Sequence, residues 1–197
     1  MKIVIRLAGM FFLQAVMAGC QTRDGSAKEE AEKYLAGLND NQARIVATIG
    51  GKPFYGDESI FAGQVIMSGN VLNVTLTDQF DGRTIINLAG DKWYSRRPVA
   101  DRIESYQESA SSLKMGKLVD REKLIGEGYM LTKGDIVAVT FEKDKMVFEI
   151  KGEVAKYSDF AQPDQYLPFD GLIVYKKPAI SLGGINEQTI FGSTHSN

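Results

Sequence analysis

The residue types that most often carry catalysis are scarce in this chain. Its one histidine, His195, stands third from the last residue, and its one cysteine, Cys20, lies near the other end. A Ser-His-Asp triad or a Cys-His pair needs a base held rigidly beside its nucleophile, and neither residue offers that placement. A lone cysteine makes no internal disulfide. Without a C-x-x-C pair or further histidines the zinc and redox motifs are missing too. No phosphate-cradling P-loop or G-x-G-x-x-G follows an apolar run. The reading is a protein that is not an enzyme and needs neither cofactor nor metal.

Carboxylates are the remaining chemistry. Asp78 and Asp81 beside Gly82, in "DQFDGR", have oxygens that suit calcium, but the spacing lacks the longer acidic loop of an EF-hand, and a hairpin turn uses the same residues for their backbone angles. Glu58, Asp91 and Asp101 become an acid/base pair of the glycosidase kind only if two of them meet across one cleft. That leaves a carboxylate-dependent hydrolase as the weakest reading.

The segment "KWYSRRP" is better suited to binding. Trp93, the only tryptophan, stands with Tyr94, Arg96 and Arg97, which combine flat apolar faces with planar donors of the kind enriched at binding hot spots. Tyr157, Phe160, Tyr166, Phe169 and Tyr175 add aromatic surface further on. Packing at a strand end accounts for the same residues, with Arg96 and Arg97 as a solvated end.

The surroundings of Cys20 point to a location. Lys2 and Arg6 precede an apolar run from Leu7 to Met17 broken only by Gln14, and Ala18 and Gly19 stand directly before the cysteine. Such a run has the length of a signal-peptide hydrophobic region and falls short of the roughly 20 apolar residues of a membrane-crossing helix. "VMAGC" resembles the lipobox of bacterial lipoproteins, with Met17 where leucine is commonest. The resemblance implies cleavage before Cys20, a diacylglyceryl group on its thiol and acylation of the new amino terminus. It also implies a cell-envelope location, and Gln21 in place of aspartate resembles outer-membrane sorting, with the domain facing the periplasm. Ordinary cleavage after Ala18 is the alternative, and it would export a free thiol into an oxidising space.

Composition sets the partner classes. A formal charge of −2 and a pI near 5.5 argue against a nucleic-acid partner. Loss of residues 1–19 removes two positive charges and no acid, so the body goes from −2 to −4 and gains no attraction to anionic lipid. The membrane is reached through lipidated Cys20, and an envelope protein is the expected partner.

The elements that must position these residues read as follows. After the signal peptide (1–19) and an anchor and spacer (20–25), Ser26 and Glu29 form a capping-box pattern, and Ala31, Tyr34, Leu35 and Leu38 share one helical face, which predicts a helix over 26–41. From residue 43 to 178 short runs rich in Val, Ile, Thr and Leu alternate with Gly, Asn and Asp turns, the texture of an antiparallel sheet. In "VLNVTLTD" Leu72, Val74 and Leu76 form an oily face that something must cover. "GQVIMSGNVLNVTL" from Gly63 aligns with "GYMLTKGDIVAVTF" from Gly128, and Gly90 aligns with Gly152, so halves 43–102 and 124–178 are expected to repeat one unit.

The expected fold is mainly β: an antiparallel β-sandwich or flattened barrel made of two similar meander units, with the N-terminal helix and a middle helical crossover near 99–120, where Val99, Ile103 and Tyr106 have helical spacing. The tail 179–197 is expected to fray. The expected function is a lipid-anchored, non-catalytic binding or interaction module of the envelope; a glycan or small-ligand binder using the aromatic patch is the rival reading.

Overall fold

The computed structural model describes residues 23–192. The export segment with Cys20, and His195, lie outside the described residues. In chain order the elements are α1 (Arg23–Leu35), β1 (Gln42–Ile49), β2 (Lys52–Pro53), β3 (Phe61–Ser68), β4 (Val71–Asp78), β5 (Arg83–Ala89), β6 (Val99–Ile103), β7 (Ser112–Asp120), β8 (Ile125–Phe141), β9 (Lys145–Lys156), β10 (Leu167–Lys176), β11 (Ile180–Gly183) and α2 (Glu187–Phe191). Eight of the strands close into an antiparallel barrel. Omitting β2, β6 and β11, each strand pairs with the next in sequence, and β10 returns to β1. The seam is short: β1 meets β3 through Gln42 with Ala62 and Ala43 with Phe61.

Strand alternation decides which residues fill the barrel. Along β1, β4 and β5 every second residue is buried, which puts Ile45, Leu72, Val74, Leu76, Ile86 and Leu88 in one cluster. Each such side chain contributes roughly 1.5–3 kcal/mol on leaving water. The opposite face of β4 and β5 is polar: the Asn73 amide donates to Asn87 at 2.6 Å, the Thr75 hydroxyl donates to Asn73 at 3.1 Å, and the Asn87 amide donates to the Ser112 hydroxyl at 3.2 Å. An oily lumen under a hydrogen-bonded polar wall is the inverse of a bilayer-spanning barrel, which is apolar outside and polar within. No helix among the described residues is long and apolar enough to cross a membrane.

The cover for the oily face of β4 is therefore the rest of the barrel. α1 has a different task, packing Ala27 and Ala31 on Val147, Leu172 and Val174 of the outer wall with Leu38 beside them. Lys176 fastens its end by donating to the carbonyls of Leu35, at 3.3 Å, and Leu38, at 2.6 Å. The helix spans Arg23–Leu35 rather than 26–41, so Ser26 lies inside it and Gly37, not the 39–41 turn, follows its end.

The expected middle helix is absent, and two strands, β6 and β7, stand in its place. Val99 and Ile103 are four residues apart, a spacing that suits one face of a strand as well as one face of a helix, and both point into the core. The serine-rich stretch supplies strand-end bonds: the Ser111 hydroxyl donates to Asp101 and accepts from the Ala89 amide. The segments aligned as a repeat also differ in structure. Residues 63–76 fold as the β3–β4 hairpin, whereas 128–141 run within the single strand β8. Nor does the tail fray through its described part, because β11 pairs with β3 in parallel and Ile190 of α2 is fully buried.

Candidate functional site

Both barrel ends are closed from within the chain. At one end Phe54 and Tyr55, just after β2, fold over the lumen, and the Tyr55 hydroxyl lies 2.9 Å from the Thr84 hydroxyl and donates to the Arg83 and Gly116 carbonyls at 2.9 and 3.3 Å. Lys117 lies beside them, donating to the Phe54 carbonyl at 2.6 Å with its ammonium over the Phe54 ring.

The other end holds the residues singled out in "KWYSRRP". Trp93 is half-buried against the core, donates from its indole nitrogen to the Ser68 carbonyl at 2.8 Å, and meets Tyr94 and Phe141 edge to face. Arg97 donates to the Ile190 carbonyl at 2.5 Å and stacks its guanidinium over Phe141, and burial lowers its pKa from the ordinary value. Arg96 is exposed. Trp93 and Arg97 thus pack against this end of the barrel and α2, and Tyr94 packs on Trp93.

The carboxylates are also in use. Asp78 accepts from the Phe80 and Gly82 amides at 2.9 and 2.6 Å, which forms the β4–β5 turn, and Asp81 sits 3.7 Å from Arg121. Glu58, Asp91 and Asp101 fall on three separate elements: the β2–β3 loop, the connection after β5, and β6. No cluster of three or more metal-ligating side chains occurs among the described residues.

Recesses of about 400–490 Å³ occur at several places on the described surface, and one of about 540 Å³ lies on the outer wall, across β5, β7 and β8. Its floor carries no side chains, because Gly116 pairs with Gly128 across β7 and β8, and Gly126 lies two residues along on the same face. The chain turns back over this floor at Tyr157, which is 46% exposed and stacks on Phe160 with ring centres 5.7 Å apart. Ile85 faces it from β5.

The charges on the lining that lack an ion-pair partner among the described residues are all positive. Arg83, Lys114 and Lys156 line the recess, and none has a carboxylate within ion-pair distance among the described residues. The Lys114 ammonium lies 5.4 Å from the centre of the Tyr157 ring. Glu127, the one acid on the lining, is 3.5 Å from Lys117.

The glycines of the floor differ from the others in the barrel. A Cβ on Gly63, Gly134 or Gly152 would stand 1.9–2.2 Å from a backbone oxygen, so the curvature of the wall requires those three. A Cβ on Gly116 would meet nothing nearer than 3.5 Å, and one on Gly126 or Gly128 nothing nearer than 3.3 Å. Packing does not demand Gly116, while a Cβ on Gly126 or Gly128 would sit tightly against a backbone carbonyl oxygen, with the Tyr157 Cβ also 3.6 Å from that on Gly128; glycine weakens a strand, and its other use there is close approach by a ligand or another backbone. Sequence reasoning named Tyr157 but missed the floor. The signal was present as Gly126 and Gly128, two apart in a strand and so on one face. Comparison with protein-family models, curated proteins and solved structures found no match to this chain.

Proposed function

We propose that the chain is a lipid-anchored envelope lipoprotein that acts as a non-catalytic binding module, with its ligand seated in the outer-wall recess. The observation that carries this reading is the side-chain-free floor of Gly116, Gly126 and Gly128 beside Tyr157, where Gly116 has ordinary room for a side chain and carries none. The tether fits it physically. Three Cα–Cα steps of at most about 3.6 Å each lead from Cys20 to Arg23, so a lipid on that thiol would hold the start of α1 within about 11 Å of its anchor.

A second reading, docking of another envelope protein, is favoured by β11. It is the terminal strand of the sheet path, paired on one side with β3, and Leu182 on it is exposed. A photo-crosslinking residue placed at Ile85 or at Leu182 in the full chain, expressed in a bacterial envelope, separates the two. Adducts from Ile85 that vanish with Gly116→Val are the expected result. Adducts from Leu182 alone would overturn the recess in favour of edge docking.

A further inference from the structure

We infer that the recess recognises an anionic saccharide, a sugar ring bearing a carboxylate or a phosphate. This rests on the reading of the recess as the binding site and adds the chemical class of its ligand. Three features of the lining select that class together.

The floor comes first. A bare backbone surface formed by Gly116 and Gly128 in cross-strand register lets a ring lie flat, and Ile85 and Tyr157 supply apolar contact for the C–H faces of a sugar. A long aliphatic chain would gain little from so short and open a floor. Next is the rim, where Arg83, Lys114 and Lys156 bring three positive charges to a body whose formal balance is negative, with no carboxylate paired to any of them among the described residues. A neutral sugar leaves those charges unused, whereas a carboxylate or phosphate takes charge-assisted hydrogen bonds from them. Last, the edge of the recess offers the Ser158 hydroxyl and backbone groups at the ends of β8 and β9 for ring hydroxyls.

The rim cations differ from their neighbours in lacking a carboxylate among the described residues: Arg121 has Asp81, Lys117 has Glu127 and Lys123 has Asp120, each within 3.7 Å. Lys114 is held by the Tyr157 ring instead, which leaves its ammonium available beside the floor.

The test is titration of the purified full chain with four probes: glucuronic acid, glucose 6-phosphate, glucose and inorganic phosphate, followed by calorimetry and by the chemical shifts of the glycine amides. The expected result is saturable binding of the two anionic sugars in the micromolar to millimolar range, at least tenfold tighter than glucose or phosphate, with shifts at Gly116, Gly126 and Gly128. Lys114→Ala and Arg83→Ala should each weaken both anionic sugars several-fold, and added salt should do the same. Glucose binding as tightly as the anionic sugars, with shifts at the glycines, would overturn the anionic class and leave the recess standing. Phosphate binding as tightly as glucose 6-phosphate would overturn the role of the ring. Binding that survives Gly116→Val, or no saturable binding of any probe, would overturn the inference; shifts away from the glycines would overturn the recess itself.

Discussion

Gly116 and Gly128 stand directly opposite each other on β7 and β8, and Gly116 is not there for lack of room: a Cβ on it would meet nothing nearer than 3.5 Å, whereas one on Gly128 would stand 3.3 Å from the Met115 carbonyl oxygen, a tight fit but far from a clash. That separates them from Gly63, whose Cβ would lie 1.9 Å from the Thr75 carbonyl oxygen, and from Gly134, at φ +149° and 2.2 Å from the Lys151 oxygen. Opposed glycines in an outer wall weaken the sheet without helping it close. A feature that costs stability and is not needed for packing is where function is to be sought.

The first prediction follows from this contrast. Gly116→Val places a branched residue on a strand face with space for it, so the barrel should be as stable as before or gain up to about 1 kcal/mol. Gly63→Ala forces backbone apart and should lose about 1–3 kcal/mol. Urea denaturation of both variants checks it, and a Gly116→Val protein as unstable as Gly63→Ala would show that the floor is structural.

The second concerns alkaline pH. Burial, helped by the negative charge of Asp78, raises the phenol of Tyr55 well above its ordinary value near 10. Above about pH 10 the unfolded chain releases this proton while the folded barrel keeps it, so the unfolded state binds fewer protons and stability falls with rising pH, by up to about 1.4 kcal/mol per unit for this group. Below pH 10 the contribution is complete. Tyr55→Phe should lower stability at neutral pH by about 1–2 kcal/mol, since it leaves the buried Thr84 hydroxyl without that partner, and should make the alkaline decline shallower. Denaturant midpoints from pH 7 to 11 read both effects.

Much of this fold is legible before any coordinates. The period-two pattern of Leu72, Val74 and Leu76 names an oily face, and the face is buried as that pattern requires. Of the helical face Ala31, Tyr34, Leu35 and Leu38, the first and last are buried and the middle two are partly buried against the same cluster. Val99 and Ile103 mislead because a separation of four suits both periodicities, and the choice was settled by the free edge of β8 at Gly134–Ala138, which lies far away in sequence. Gly134 reads as a turn residue by analogy with Gly69, but its neighbour across the sheet is Gly152, and the pair lets two backbones approach mid-strand. The recess was hidden for a related reason: a floor is defined by missing side chains, and Gly116 meets Gly128 only once β7 and β8 are in register.

The third prediction tests whether Trp93 and Arg97 close the barrel. Arg97→Ala removes the bond to the Ile190 carbonyl and the contact with Phe141, which should release α2 while leaving the β-core intact. Amide exchange across 187–191 should quicken by roughly tenfold, equivalent to about 1.4 kcal/mol of local stability. Because Trp93 is the only tryptophan, its emission reports this end of the barrel alone, and it should shift slightly to the red. Unchanged protection of α2 would assign Arg97 to the solvent and return it to the pool of binding residues.

The fourth concerns the anchor, and it separates location from fold. One acyl chain gives marginal attachment and two or more give stable attachment, at about 0.8 kcal/mol per buried methylene, so membrane residence should depend wholly on Cys20. The barrel should not: among the described side chains of α1 the first in the packed cluster is Ala27, seven residues on, and the main core cluster runs from Ala43 to Ile190. Cys20→Ser should therefore move the protein out of the membrane pellet with its melting temperature unchanged, and mass spectrometry of the wild-type amino terminus should find an acylated cysteine. A serine variant that still pellets with lipid would mean that the barrel itself holds the bilayer. The exposed apolar residues Val119, Leu124 and Ile125, around the β7–β8 turn, would then be the surface to mutate next, and a protein freed by Leu124→Ser would place the attachment there.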